Sequence, residues 1–487
     1  MNLPMSIDLQ GFRKPVTRRD MLARAGCGFG SLALAGLMSD QKLLASPGSP
    51  ESGLDSPLSP RSPHFPGRAK SVIFLFMYGG PSHVDLFDYK PALEKHSGKK
   101  VGEVADTKGA RSSGGLYPSP YKFARHGQSG HWVSECYPHL SRMIDHTAML
   151  RGVYGHSISH APALFELNTG MIRTGFPSVG SWVTYGLGTG NQDLPGFVVL
   201  YDYRGGPIGG APNWGSGFLP GAFQGTPVRS KGTPILNLNR PEQLESSQQR
   251  QLLDYAGKLN RRHMQNYPAD NALEARIESF ELAYRMQSAA PEALDISGEN
   301  EATRKLYGIE SGNPGEYFGG QCLMARRLVE RGVRFVQLYS GGGHGDNTWD
   351  AHGNLTANHN KHCAATDQPI AGLLQDLEQR GILDETLVVW GGEFGRTPQK
   401  QGGNGRDHHP FGFTMWMAGG GIKGGASYGE TDEIGYHAAV DRTSVHDIHA
   451  TILHQMGINH KQLTYHFSGR DFRLTDVAGK VIDKIIA

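Results

Sequence analysis

Charge is scarce in this chain. Only 19% of its 487 residues are Asp, Glu, Lys or Arg, which excludes a disordered polyelectrolyte. Basic and acidic residues nearly cancel, 48 against 46, for a net +2. Residues 1–45 carry +3 of this, six basic against three acidic, so the remainder stands at −1. That balance supplies no electrostatic reason for a nucleic acid or an anionic membrane as partner. Cysteine is scarcer still: four residues exclude a disulfide-rich scaffold. The apolar stretch Ala25 to Met38 falls short of the roughly 20 residues that span a bilayer as a helix. No transmembrane segment is expected in the rest of the chain. Glycine is plentiful, at 67 residues, and implies many turns and loops. Histidine is plentiful too: 22 residues, with twelve between 344 and 466.

The N-terminus reads as an address. Thr17-Arg18-Arg19-Asp20-Met21-Leu22 is a twin-arginine pattern, followed by the short apolar stretch and by Leu43-Leu44-Ala45 as a possible cleavage region. Residues 1–45 are therefore expected to be a twin-arginine signal, and the protein periplasmic or extracellular. That route carries folded proteins, often already loaded with a metal. Residues 46–67 have the Ser, Pro and Gly of a linker. Beyond them lie Cys136, Cys322 and Cys363, an odd number. Cys322 falls in an apolar helical pattern and reads as core, and no essential disulfide is expected.

Residues 68–487 read as one α/β domain. Continuous apolar runs bounded by turn residues are the mark of strands buried on both faces. They occur at 71–78, 148–153, 197–201, 333–339, 386–390 and 413–417. Helical patterns lie between, at 317–331, 367–377 and 445–456, each closed by glycine. This alternation predicts a mostly parallel central sheet with helices on both faces. Residues from about 240 to 305 lack strand runs and read as a helical insertion.

Ligands of open parallel sheets bind beyond the carboxyl ends of the strands. The loops there hold Ser82, His83, Asp85 and Asp88; then Ser157, Ser159 and His160; then His344, Asp346, Asp350 and His352; then Glu393 and Arg396. Asp407, His408 and His409 stand before the 413–417 run. Imidazole and carboxylate together suit Zn, Mn, Fe or Ni, with Mg or Ca favoured where oxygens dominate. Unpaired carboxylates and imidazoles converging on one edge would be costly without a cation. Plainer roles stand beside this one. Asp350 and His352 can cap the next helix, Glu393 can pair with Arg396 or Arg406, and Asp85 can be a turn residue. His359 and His362 share a helix face, and His446, His449 and His454 suit surface or supporting positions.

Four segments together resemble a family of exported bacterial sulfatase-like proteins of unknown function. They are Trp349-Asp350-Ala351-His352-Gly353, Gly392-Glu393-Phe394-Gly395-Arg396-Thr397-Pro398, Gly405-Arg406-Asp407-His408 and Ala418 through Gly425. Arg326 through Val333 and Ser444 through Leu453 extend the likeness over about residues 70–475. The resemblance implies an alkaline phosphatase-like fold and a metal at the strand ends. It implies that Asp350 and His352 supply one metal loop and that Glu393 stands where an Asp follows the next strand. His408 matches a metal histidine, with His409 as rival, and Asp85 is a further candidate. The pattern departs at the nucleophile. Registering Pro162 and Thr169-Gly170 on the sulfatase motif puts His160 where a Cys or Ser belongs, and Leu164 where an Arg belongs. No cysteine is near, so a formylglycine route has no substrate residue.

The function expected from these readings is metal-dependent hydrolysis of a phosphate or sulfate ester, a sulfated glycan included. The cation would be Zn, Mn, Ca or Mg. Ser159 (or Ser157) would be the nucleophile, unless water at the metal takes that role; Arg396 and Arg406 would pair with anionic oxygens. The alternative is a non-catalytic descendant that binds an anion or glycan, or docks to an exported protein partner. A redox metalloprotein is disfavoured by the absence of any His-x-His pair or Cys–His copper pattern.

Overall fold

The apolar runs become the central sheet. The computed structural model describes residues 57–487 apart from 105–113, 203, 230–233, 236–237, 241–242 and 267–270; the twin-arginine segment lies outside the described residues. Nine strands make the sheet: β1 (Ser71–Met77), β2 (Thr147–Tyr154), β3 (Phe197–Tyr201), β4 (Thr226–Arg229), β5 (Phe335–Ser340), β6 (Thr386–Gly391), β7 (Phe413–Ala418), β8 (Ser427–Tyr428) and β9 (Thr443–Ser444). The main helices are α1 (His160–Thr169), α2 (Val179–Leu187), α3 (Ser246–Asn266), α4 (Asn271–Leu294), α5 (Glu316–Glu330), α6 (Leu355–Gln379) and α7 (Val445–Gln455).

The strand order is β8-β2-β7-β6-β1-β5-β3-β4, with β9 beside β2. β1 sits near the middle and runs parallel to both neighbours, with Val72 opposite Phe335 on one side and Leu387 on the other. β7 runs antiparallel to β6 and to β2, so the sheet is mixed. Parallel pairings outnumber these two, as the alternation of strand and helix patterns implies.

Every residue of β1 is buried. Successive side chains of a strand point to opposite faces. Ile73, Leu75 and Met77 join a core cluster with Leu323 and Leu328 of α5 and Leu373 and Leu377 of α6. Val72, Phe74 and Phe76 join the other with Leu164 of α1, Trp182 of α2 and Ile448 of α7. Helices therefore cover both faces, which is why the strands read as unbroken apolar runs rather than alternating ones. In the 240–305 stretch stand α3 and α4; α4 buries Met286, Ala290 and Leu294 in the α5–α6 cluster. Of the linker-like stretch, the described part is docked: Leu58 is buried, and the N–H groups of His64 and Phe65 both donate to the Gly457 carbonyl.

Candidate metal centre

Strand direction decides which loops meet. β1, β5, β6 and β2 point their carboxyl ends to one edge, so the residues after them face it. β7 runs the other way, and the residues before it face the same edge. Five segments thus converge: Tyr78–Gly80 after β1, His160 at the start of α1 after β2, Asp350 and His352 after β5, Glu393 after β6, and the hairpin of Gly395–Arg396 with His408–His409 before β7. Gly79 (φ +114°) lets two of them touch, because a Cβ there would lie 2.6 Å from the backbone nitrogens of Trp349 and Asp350. The Trp349 N–H donates to the Tyr78 carbonyl at 2.9 Å, and the Gly79 N–H to Glu393 at 3.0 Å.

Asp350 is the hub. Its Oδ1 receives Arg396 at 2.7 Å and faces the Nε2 atoms of His352 and His408, each at 3.1 Å. Its Oδ2 lies 3.3 Å from His160 Nε2. His160 turns its other nitrogen, Nδ1, to Glu393 Oε1 at 2.7 Å. His352 Nδ1 contacts Gln401 Oε1 and stands 3.7 Å from Asp407. Among the described residues, two sets of three donors are close enough to share an ion: His160, Asp350 and His408, and His352, Asp407 and His408. His408 belongs to both.

These contacts move the charges. Burial by itself would raise the Asp350 carboxyl; the hydrogen bond from His160, the His408 contact and the charge of Arg396 overcome this and hold it far below the usual carboxylate range. Burial pushes His160 down, but its hydrogen bonds to Asp350 and Glu393 and their charges carry it up to about 9. Burial lowers His408, the Asp350 contact opposes this, and the charges of Arg396 and His160 add to the lowering. Tyr78, edge-on to His160 at 6.0 Å, is pushed up to about 12, chiefly by burial.

The donor set passes a direct test for a cation. The Nδ1 of His408 lies 2.7 Å from the Ile158 carbonyl, which can only accept, so the proton sits on Nδ1. In the neutral ring Nε2 then carries a lone pair, and it faces the anionic Oδ1 of Asp350. Protonating the ring would relieve the clash, but burial and Arg396 oppose that. His352 repeats the pattern, its Nδ1 on an amide oxygen and its Nε2 on the same Asp350 atom. A positive ion among these lone pairs satisfies all of them.

The expected residues divide sharply. His160, Asp350, His352 and His408 come together, with Glu393 behind His160. Glu393 therefore pairs with an imidazole and a backbone N–H rather than with an arginine. Asp85 is elsewhere: it is fully buried, held by Arg406 at 2.7 and 3.1 Å and by the Ser82 hydroxyl, which corrects the ligand reading, while its place in the single helical turn His83–Leu86, with its N–H on the Ser82 carbonyl, fits the turn reading. His409 is corrected too. It is adjacent to His408 in an extended pair, so it points away, and its Nε2 meets the Tyr436 carbonyl. Arg396 has no N–H directed at open space. It is completely buried and donates to the Gly79 and Gly80 carbonyls, the Arg406 carbonyl and Asp350. Ser159 is the exposed residue preceding α1, outside the two donor sets. His359 accepts the Ser82 N–H at 3.0 Å and is pushed down to about 3 by burial, a neutral supporting group. Gln401 joins the site unforeseen, and Asp407, read in the sequence only as a neighbour of His408, stands beside His352.

A family model described as "Protein of unknown function (DUF1501)" matches residues 69–486, and the chain belongs to that family. The search of curated proteins found no match. Among solved structures, the lipoteichoic acid synthase LtaP from Listeria monocytogenes is similar at 11% identity, covering 88% of this chain and 79% of that one, with a TM-score of 0.38. A sulfatase, PsFucS1, from Pseudoalteromonas sp. is similar at 12% identity over 88% and 70%, with a TM-score of 0.34. A protein in the alkaline phosphatase superfamily from Vibrio parahaemolyticus is similar at 11% over 83% and 71%, with a TM-score of 0.35.

Proposed function

We propose that this protein is an exported, metal-dependent hydrolase of phosphate or sulfate esters that works without formylglycine, on an alkaline phosphatase-like fold. One observation carries the reading: His352 and His408 each bring Nε2 to 3.1 Å from the same oxygen of Asp350. His160, Asp350 and His408 would hold the cation, with His352, Asp407 and His408 as the rival set. Zn or Mn suits this mixture of imidazole and carboxylate best; Mg or Ca suits it less. When bound, the ion supplies Lewis-acid charge against the oxygens of an anionic ester.

The chain's own groups supply the remainder. Glu393, fixed by the Gly79 N–H, holds a proton on His160 Nδ1. His160 opens α1, whose first-turn N–H groups and dipole favour an anion there. It occupies the position that a nucleophile holds in the sulfatases this chain resembles. Arg396 keeps Asp350 ionised and oriented, which is a positioning role. Ser159, beside His160 and exposed, would be the hydroxyl that meets a substrate.

Metal analysis by mass spectrometry of the purified protein is the test. Near-stoichiometric metal in the wild type, lost on His408→Ala, together with aryl phosphate or aryl sulfate hydrolysis lost on Asp350→Asn, is the expected result. Metal below stoichiometry and indifferent to His408→Ala sinks the proposal. Metal retained with no turnover moves the site to anion or glycan binding.

A further inference from the structure

Cys136 follows the strand His131–Ser134, and Cys363 lies in α6. The residues after Cys136 are laid along α6 in register. The Tyr137 hydroxyl is 3.4 Å from Thr366 Oγ1, and the N–H groups of His139 and Leu140 donate to the Asp367 carboxylate at 2.9 and 2.7 Å. Cys363 is the residue one turn before Asp367, on the same side of the helix. The two cysteines line one cavity of about 420 Å³. Cys363 is buried and Cys136 half-buried, which makes Cys136 the more accessible of the two. Cys322 is different: it is buried among the aliphatic residues of α5.

We propose that Cys136 and Cys363 are a redox-active pair that closes into a reversible disulfide, pinning residues 131–140 to α6. The oxidant is a disulfide compound, small or protein-borne. The Cys136 thiolate attacks it, forming a mixed disulfide and releasing one thiol. The Cys363 sulfur then gives up its proton and attacks Cys136 Sγ, releasing the second thiol. Two protein thiols lose two electrons and two protons in all, and the oxidant gains both. The Cys363 contact lowers the Cys136 thiol, as an attacking sulfur requires, while burial holds Cys363 well up. An oxidising compartment outside the cytoplasm favours closure. The link would brace the helix that leads away from the Asp350 loop and carries His359, without touching the metal ligands.

The folded full-length protein is incubated with oxidised glutathione, acid-quenched, denatured, alkylated and peptide-mapped by mass spectrometry. The Cys136 and Cys363 peptides should appear joined, with the alkylatable thiol lost at both positions and kept at Cys322. Dithiothreitol should restore both. Cys322→Ser should leave the link intact, and Cys363→Ser should leave Cys136 free or carrying glutathione. Full alkylation of Cys136 and Cys363 in the oxidised wild type overturns the proposal. So does a stable glutathione adduct on Cys136 with Cys363 free, or a link from either residue to Cys27 or Cys322.

Discussion

Arg406 and Asp85 show how little a residue's type says about its task. Both read as candidates for chemistry, an anion binder and a metal ligand, and they neutralise each other in the interior. Both side chains are completely buried. A buried pair is costly to break from one side, because the remaining charge has no solvent. Arg406→Ala should cost about 3–5 kcal/mol in denaturant unfolding, and Arg406→Lys should not recover it, since lysine lacks the two-pronged geometry. Burial raises the Asp85 carboxyl, but Arg406 and the Ser82 hydroxyl more than offset this and leave it lowered. A lowered folded pKa means that the unfolded chain binds the proton first. The contribution is therefore complete above the unfolded carboxylate value of about 3.9 and is lost as pH falls through the folded one. Acid-unfolding curves should show the difference between wild type and Asp85→Asn shrinking toward low pH; a constant gap would contradict the assignment.

At the scale of elements, the two-residue strand His408–His409 separates neighbours that sequence leaves equivalent. An extended backbone sends adjacent side chains to opposite sides. His408→Ala should therefore abolish metal retention, and His409→Ala should keep the metal while losing stability through the orphaned Tyr436 carbonyl. Equal metal loss in both would contradict the geometry. Gly79 carries the second prediction at this scale. Its φ of +114° and the 2.6 Å approach of two backbone nitrogens leave no room for a methyl. Gly79→Ala should cost at least about 1–3 kcal/mol in backbone strain and should also lower metal content, because it separates the loop after β1 from the loop that holds Asp350. Unfolding midpoints read the first effect and metal analysis the second.

For the whole molecule, the site is a product of strand order. β5 and β6 flank β1, and β7 reverses direction beside β6, so residues distant in sequence reach one edge. An ion held by several loops ties them together and stabilises only the folded chain. Chelation should lower the unfolding midpoint, and refilling with Zn or Mn should restore it. A ligand at 100 times its Kd adds about 2.7 kcal/mol. A midpoint that ignores the chelator would count against a bound cation.

Much of the architecture was legible in the residues themselves. The runs 71–78, 197–201, 386–390 and 413–417 could bury so much apolar surface only inside a sheet covered on both faces, and the glycine-closed helical patterns supplied the covers. The motif loops were legible too, since Asp350, His352 and His408 lie at strand ends where ligands collect. Sequence alone left open which polar groups meet. Arg396 and Arg406 were indistinguishable from anion binders until packing sealed both of them. His409 was a rival to His408 until the hairpin gave each a side, and Asp407 waited on a backbone turn to reach His352. Hydrophobic pattern is a local property, written along the chain and readable there. The pairing of charges and the aim of a lone pair depend on ångström distances between residues hundreds of positions apart, and only the folded chain decides those.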